Sequence, residues 1–362
     1  MSSTALELTF CRVEEKDREQ LISLLSKVLL DGDSLHADKY NYAKWWWKYY
    51  AMPNAEPHIF ICKEGEQILG YYHCPVYLGS LNGEPKNFAM VQDVGVSEAA
   101  RGKGVFRKLA DYATAQLLQS DVSFIYTFPN KKSIHTFIKY NGYQKIETFC
   151  TFVLPVSTST ILASKVSFAG LHKLVGGFFD QLYALRIPKS KQGYSFQCEE
   201  KITVQMVSVF EQFNKNFKNK LTRDFNYLTW RFEQKPYGIT KFFTAVKDNK
   251  TVAVLVISVE DLIGSKAAVI LDFASVSAEA FAQLIVHVHK NSAKYFDEKI
   301  GLFYTSVSSS NSKFFQTSGF LKIPERLNPR ALHLLGKNVS ANENEVMNAA
   351  NWNFTLSEWD VL

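Results

Sequence analysis

The sequence predicts an α/β protein made of two successive domains that share one plan, each a mixed central sheet flanked by helices. Its 362 residues are enough for two domains, and 46% apolar with 21% charged residues is typical of a globular chain. An order of helix, proline-containing loop, strand, turn and strand occurs twice along the chain. In addition, residues 90–110 run from an apolar strand through a glycine-rich basic turn into an amphipathic helix.

An aromatic helix opens each copy of the plan. In the first copy, Asn41-Tyr-Ala-Lys-Trp leads to two apolar runs that meet at the turn Lys63-Glu-Gly-Glu. In the second copy, Asn226-Tyr-Leu-Thr-Trp leads to two apolar runs that meet at Lys247-Asp-Asn-Lys. Both turns have the composition of a β-hairpin, so each copy is predicted to continue into its sheet by a pair of antiparallel strands.

Three later segments of the first copy have counterparts in the second. They are two apolar strands and a short Gly-aromatic element: Phe88–Val94 with Ala267–Phe273, Val122–Thr127 with Gly301–Ser306, and Asn141–Tyr143 with Ser318–Phe320. Agreement of so many features in the same order indicates two related domains. We place the first at residues 1–155 and the second at residues 195–338.

The segments outside the two copies are predicted to be a linker and a tail. Residues 156–194 have polar ends around apolar residues at helical spacing from Ile161 to about Arg186. A helix packed between the domains is the favoured interpretation, and a membrane-surface helix with a basic side is the alternative. Residues 339–362 contain two tryptophans, so we expect this tail to be docked on the body of the protein.

Composition narrows the class of protein. The net charge of +6 suits an anionic cofactor, whereas the dispersed lysines and arginines do not indicate nucleic-acid binding. The five cysteines lack the spacing of a disulfide framework or a zinc site, and His287 with His289 has no third ligand nearby, so no metal is predicted. No signal peptide or integral membrane segment is predicted, and cytoplasmic localisation is expected.

The turn Arg101-Gly-Lys-Gly has the composition of an anion site. Glycines let backbone N–H groups approach a phosphate closely, and the N-terminus of the following helix adds the positive end of its dipole. Two cations stand beside the same point. This segment therefore predicts that a phosphate-containing ligand binds in the first domain.

The segment resembles the pyrophosphate-binding motif of the GNAT superfamily of CoA-dependent acyltransferases, which is Gln/Arg-x-x-Gly-x-Gly/Ala after a strand. Arg101, Gly104 and the preceding strand match this motif, whereas Phe106 stands where glycine or alanine is usual. Downstream, Asn130 and the element Asn141-Gly-Tyr resemble the Asn and Gly-Phe segment of the same family.

The resemblance implies a binding mode for acetyl-CoA as co-substrate. The pantetheine arm is expected along the strand that ends at Val96, with Asn130 beside it, and the pyrophosphate on the glycine loop. The cofactor-binding residues implied in this way are Val94, Gly95, Val96, Arg101, Gly102, Lys103, Gly104, Val105, Phe106 and Asn130.

The second copy lacks the cofactor loop. Residues 274–279 contain neither glycine nor a cation, and Glu279 places an anion where a diphosphate would sit. Ser277 is a good N-cap for the helix that follows. We therefore predict one CoA site, in the first domain, and a second domain that shapes or covers the substrate cleft.

The candidate catalytic residues lie near the predicted thioester strand. Asp93 is a possible base for an incoming amine, although Asp272 at the matching place of the second copy makes a bracing role equally plausible. His73 is a weaker alternative, since a lone histidine in an aromatic strand is more often part of the core. The tyrosine that is the family's frequent general acid is replaced by Ile138, which leaves Tyr140 as a weak acid candidate.

The function that these observations favour is an acetyl-CoA-dependent N-acyltransferase that acts on a small-molecule or sugar-nucleotide amine. One alternative resembles the FemABX transferases, which use aminoacyl-tRNA, and the absence of basic runs disfavours it. The other is a non-enzymatic CoA-binding or scaffold protein that kept the fold without the usual tyrosine.

Overall fold

The computed structural model describes residues 7–30, 41–53, 57–163, 171–262, 264–328, 330–339 and 343–359. The strands of these residues are β1 (Leu8–Arg12), β2 (Ile59–Glu64), β3 (Gln67–His73), β4 (Val76–Leu81), β5 (Glu84–Val96), β6 (Val122–Thr127), β7 (Gln144–Thr148), β8 (Cys150–Pro155), β9 (Ser195–Glu199), β10 (Asn219–Leu221), β11 (Thr240–Lys247), β12 (Lys250–Leu262), β13 (Ser265–Ser275), β14 (Ile300–Val307), β15 (Leu321–Ile323) and β16 (His333–Asn338). The α-helices are α1 (Arg18–Leu30), α2 (Tyr42–Tyr49), α3 (Val105–Leu118), α4 (Ile134–Asn141), α5 (Thr158–Ala163), α6 (Leu171–Ala184), α7 (Val204–Asn214), α8 (Phe225–Leu228), α9 (Ala278–Lys290), α10 (Ser292–Tyr295), α11 (Ser312–Thr317) and α12 (Glu343–Val346).

The chain divides into two compact units. The first unit comprises Met1–Glu147, Lys235–Tyr237 and His333–Asn348. The second comprises Thr148–Gln234, Gly238–Leu332 and Ala349–Leu362. Each unit therefore contains segments from both halves of the chain.

The first unit has a mixed sheet in the order β1-β2-β3-β5-β6-β16-β7, with β4 paired to β5. The pairing of β5 with β6 is parallel, whereas β2 with β3 and β3 with β5 are antiparallel. Side chains alternate between the two faces along each strand. Phe60 and Tyr72 belong to a core cluster with Leu109 of α3, and Ile61 and Tyr71 to a second cluster with helices α1 and α2.

The second unit has a mixed sheet in the order β15-β8-β14-β13-β12-β11-β9. The pair β13 and β14 is parallel, and β11 with β12 forms a hairpin. Its two turn residues, Asp248 and Asn249, both have positive φ, +49° and +59°, as a tight hairpin turn requires. Two mixed sheets flanked by helices confirm the predicted fold class.

The two halves of the chain exchange strands. Strand β8, which the sequence prediction assigned to the first domain, pairs with β14 in the sheet of the second unit. Strand β16, from the second predicted domain, pairs with β6 in the first unit, where Leu335 belongs to the core. The boundaries that the repeats predict, at residues 155 and 338, therefore differ from the boundaries of the compact units.

The predicted linker helix and the C-terminal tail are described in part. Helices α5 and α6 lie on either side of residues 164–170, which belong to the predicted helix and lie outside the described residues. The tail divides as well, since residues 343–348 belong to the first unit and residues 349–359 to the second. In the latter segment Trp352 and Phe354 are fully buried.

Candidate functional site

The site is built around the part of β5 that extends beyond the end of β6. The parallel register of these strands ends at the pair Val91 and Thr127, while β5 continues to pair with β3 as far as Val96. Between these two points, the register with β3 shifts by one residue, and Asp93 is the additional residue of this β-bulge. Bulges redirect side chains and are frequent beside functional sites.

Asp93 has an unusual backbone conformation for its place in a strand. Its φ is +42°, in the left-handed region that glycine prefers. Aspartate tolerates this region better than most side chains do, yet the conformation still needs support from its surroundings. That support comes from helix α2 and strand β3.

Helix α2 supplies two donors to the carboxylate of Asp93. The Lys48 Nζ atom lies 2.8 Å from Asp93 Oδ2, and the Tyr49 hydroxyl donates to the same oxygen at 2.6 Å. The side chains of Lys48 and Asp93 are only 5% and 14% exposed. Burial alone would raise the pKa of Asp93, but the charge of Lys48 and the two hydrogen bonds hold that pKa well below its usual range.

His73 supports the same bulge from β3. Its Nδ1 lies 2.8 Å from the Asp93 carbonyl oxygen, and Trp45 Nε1 lies 3.1 Å from its Nε2. Since the indole nitrogen can only donate, Nε2 accepts and the ring proton is assigned to Nδ1. Burial lowers the pKa of His73 to about 4. With both ring nitrogens engaged, a neutral His73 is poorly placed to accept a proton from an amine.

The glycine loop after β5 leaves the start of helix α3 uncapped. Gly102 and Gly104 have φ of +76° and +74°, and a Cβ atom at either position would meet no atom within 4 Å. Gly104 is the N-cap and has no side chain to accept from the first turn. The first turn of α3 thus presents backbone N–H groups at an open glycine cradle, which fits a phosphate group.

Four cations accompany this open helix end. Arg101 and Lys103 lie in the loop, Arg107 and Lys108 in the first turn of α3, and all four residues are exposed. Val105 is buried in the core below them.

The departure from the family motif at Phe106 is accommodated by packing. The ring of Phe106 contacts the rings of Phe137 and Tyr72, with centroid distances of 5.9 Å and 6.1 Å. It joins the partly buried side chains on the core cluster of the first unit. The larger side chain therefore belongs to this aromatic cluster and leaves the glycine cradle open.

The corresponding helix end in the second unit is occupied by the chain's own groups. Ser277 caps α9 by accepting from the Ala280 N–H at 3.1 Å. The Glu279 carboxylate, in the first turn, accepts from the Tyr194 hydroxyl at 2.9 Å and from Lys191. A built-in cap and a built-in anion stand where the first unit has a glycine cradle, in agreement with the predicted loss of the loop.

The remaining predicted residues lie on or beside α4. The Asn130 side chain accepts from the backbone N–H groups of Lys132 and Ser133, at 2.9 Å and 3.0 Å, and so fixes the turn before this helix. Tyr140 and Ile138 are both exposed on α4. The structure thus places Tyr140 on a solvent-facing surface, while Asp93 lies in the partly buried bulge.

The counterpart of Asp93 in the second unit is part of a buried ion cluster. Arg223 Nε lies 2.8 Å from Asp272 Oδ2, and the same guanidinium contacts Glu358. Thr355 and Ser357 donate to Asp272 at 3.0 Å and 3.1 Å. All these side chains are buried, so Asp272 holds the C-terminal segment of its unit in place.

Lys48 and Tyr49 were not predicted as site residues from the sequence. Both residues lie in an aromatic helix. The one signal in the sequence was a lysine on the apolar side of this helix, because a buried lysine usually has a carboxylate partner. That partner lies 45 residues further along the chain. Within the part of the chain that the structure describes, no group of three or more His, Cys, Asp or Glu could hold a metal ion.

Comparison with known proteins identifies the first domain. Residues 9–145 match the model of the Acetyltransferase (GNAT) domain family. No curated protein matches the chain. The resemblance seen in the sequence is therefore confirmed for residues 9–145.

Solved structures share the fold across both units. A GCN5-related N-acetyltransferase from Anabaena variabilis is 11% identical with a TM-score of 0.64, over 92% of this chain and 73% of that one. A probable N-acyltransferase from Enterococcus faecalis is 10% identical with a TM-score of 0.62, over 92% and 72%. Saccharomyces cerevisiae N-myristoyltransferase with bound myristoyl-CoA is 11% identical with a TM-score of 0.57, over 98% and 90%. At these identities the likeness shows the fold alone.

Proposed function

We propose that this protein is an N-acyltransferase that takes an acetyl group from acetyl-CoA and transfers it to a small-molecule or sugar-nucleotide amine. The observation that carries the proposal is the uncapped, basic, glycine-lined start of α3, which follows a strand that extends beyond the end of its parallel neighbour. An acyl-CoA presents a diphosphate to such a helix end and an extended arm to such a strand edge.

The residues proposed to hold the donor form two groups. Residues 101–106 would receive the diphosphate through backbone N–H groups and nearby cations. Val94, Gly95 and Val96, on the part of β5 beyond its register with β6, would receive the pantetheine arm. Asn130, which orders the turn before α4, is proposed to lie beside that arm.

Asp93 is proposed to position the strand and not to accept the proton of the amine. A carboxylate paired with Lys48 and depressed in pKa is a poor proton acceptor near neutral pH. Its counterpart Asp272 is wholly engaged in an ion cluster, in a unit that lacks the glycine loop. A shared role in both units is structural support, here for the bulge of β5 at Asp93.

Acetyl-CoA is proposed as donor on the match to an acetyltransferase domain family. A longer acyl chain is the specific alternative, since myristoyl-CoA is the ligand of one structural neighbour. Calorimetric titration of the full chain with CoA, acetyl-CoA and myristoyl-CoA tests the site and the donor together. We expect one equivalent of acetyl-CoA per chain.

Turnover is tested by thiol release from acetyl-CoA against a panel of small amines and amino sugars linked to nucleotides. Release that depends on one class of amine would identify the acceptor. Two equivalents of bound donor, or none, would contradict the assignment of one site to the first unit. Tight binding without release for any amine would favour a CoA-binding protein without transferase activity.

A further inference from the structure

Helix α6 turns an apolar face away from the body of its unit. Val175, Phe178, Phe179, Leu182 and Leu185 are all exposed, with Phe178 at 61% and Leu185, just after the helix, at 84%. Five large apolar side chains within eleven residues form a patch that soluble surfaces seldom carry without a binding role.

The opposite face of α6 anchors it. Gly176 is buried, and a Cβ atom there would lie 2.5 Å from the backbone of Ser159 in α5. Four residues later, Asp180 accepts from the Thr158 N–H at 2.6 Å. Helix α5 is held to strand β14 in turn. The backbone N–H of Ser157, just before α5, donates to the Gly301 carbonyl oxygen of β14 at 3.0 Å.

The helix is thus oriented by its small and polar residues. At about 100° per residue, the direction of Gly176 and Asp180 lies roughly 140° from the centre of the apolar face. The usual arrangement buries the apolar face against the core. In α6 the anchoring residues Gly176 and Asp180 are small or polar, and the five apolar residues named above are exposed.

The charge of the segment complements an anionic surface. Between residues 164 and 191 the sequence has five lysines and arginines and one acidic residue, and of the five cations Lys191 is paired with Glu279. That acidic residue, Asp180, is used in the contact with α5. Arg186 and Lys189, which follow the helix, are exposed beside the apolar face.

We propose that α6 docks this protein on the surface of a bilayer that contains anionic lipid. The apolar side chains would enter the boundary between headgroups and acyl chains, and the flanking cations would pair with the headgroups, as in interfacial amphipathic helices. The helix has 14 residues, and no helix in the described ranges is long and apolar enough to cross a membrane. This inference does not depend on the proposed acyl transfer.

The test is co-sedimentation of the full chain with large vesicles of phosphatidylcholine, with and without about 30% phosphatidylglycerol. We expect binding to the anionic vesicles that falls by about tenfold in Phe178→Asp/Leu182→Asp and declines with added salt. Leu327→Asp is the matched control, since Leu327 is 66% exposed in the same unit outside this helix. It should bind as the wild type does.

Three results would overturn the proposal. The first is no binding to anionic vesicles, and the second is equal binding by the double variant and the wild type. The third is a dimer in light scattering that the double variant converts to a monomer, which would assign the face to a second copy of the chain. Circular dichroism of the double variant, compared with Leu327→Asp, separates loss of binding from loss of fold.

Discussion

Replacement of Asp93 by asparagine tests whether this residue braces β5 or takes a proton. The substitution keeps the size of the side chain and leaves an acceptor for the Tyr49 hydroxyl, but it removes the charge opposite Lys48. The Lys48 ammonium is 2.8 Å from the lost carboxylate oxygen and only 5% exposed. Breaking a buried pair from one side costs about 3–5 kcal/mol. Since Asp93 is 14% exposed, we expect about 3 kcal/mol of the unfolding free energy to be lost.

A double-mutant cycle separates the two roles. In Lys48→Met/Asp93→Asn the unpaired charge is absent, so most of the lost stability should return, with a coupling energy of about 2 kcal/mol. If Asp93 only braces the bulge, turnover should recover together with stability. If Asp93 is the base, turnover should stay about 10²–10⁴ lower in both variants, because neither can accept the proton.

The assay combines urea unfolding, calorimetric titration of acetyl-CoA and thiol release, all at pH 7. Each variant is compared with wild type at the same temperature, where both are folded. A loss below about 1 kcal/mol in Asp93→Asn would refute the bracing argument, because a buried ammonium without its partner should cost more. Restored stability without restored turnover would refute the positional role and return Asp93 to the role of base.

Three further predictions concern the glycine loop, His73 and the exchanged strand. Gly104→Asp should weaken CoA binding strongly, because like charges about 4 Å apart cost about 4 kcal/mol at intermediate dielectric. Ser277→Asp keeps a cap on α9 and should leave the calorimetric titration with CoA unchanged. Burial keeps His73 neutral in the folded protein, with a pKa of about 4, whereas in the unfolded chain its pKa is near 6.5. The contribution of His73 to the unfolding free energy should therefore be full above about pH 6.5 and fall by about 3 kcal/mol as the pH drops to 4. Urea unfolding of His73→Gln should show a flatter pH dependence, and an unchanged slope would contradict this assignment. A fragment of residues 1–155 lacks β16 and should show no cooperative unfolding and no CoA binding, whereas binding equal to the full chain would show that β16 is dispensable.

The fold class was predictable because its signals are local. A two-residue turn such as Asp248-Asn249 specifies a hairpin through its own backbone preferences. The glycine loop likewise requires positive φ at Gly102 and Gly104, where the structure has it. Repetition of these local signals along the chain indicated two domains.

The strand exchange was not predictable because alternation of side chains defines a strand but not its neighbour. Cys150–Pro155 continues directly from β7, and nothing in its composition indicates a partner that begins at residue 300. The Lys48 and Asp93 pair was missed for the same physical reason. Its two members lie on separate elements, and only the tertiary fold brings them together.

The two units retain the same carboxylate and differ at the helix that follows it. Both sheets have a register shift close to this carboxylate, at Asp93 itself in the first unit and at Leu271, one residue before Asp272, in the second. Asp93 and Asp272 are each paired with a cation from an earlier segment of their own unit. The cation is Lys48 in the first unit and Arg223 in the second. What the two units share is therefore a carboxylate neutralised by a cation, and not one particular pair of residue types.

The two units differ clearly at the helix end that follows this carboxylate. Helix α3 begins at an uncapped glycine, whereas α9 begins at a serine cap with Glu279 held by Tyr194. If the carboxylate were the reactive group, the second unit would have little reason to keep it after losing the loop. Its presence in both units agrees with the proposal that the carboxylate supports the fold and that the open helix end of the first unit receives the diphosphate.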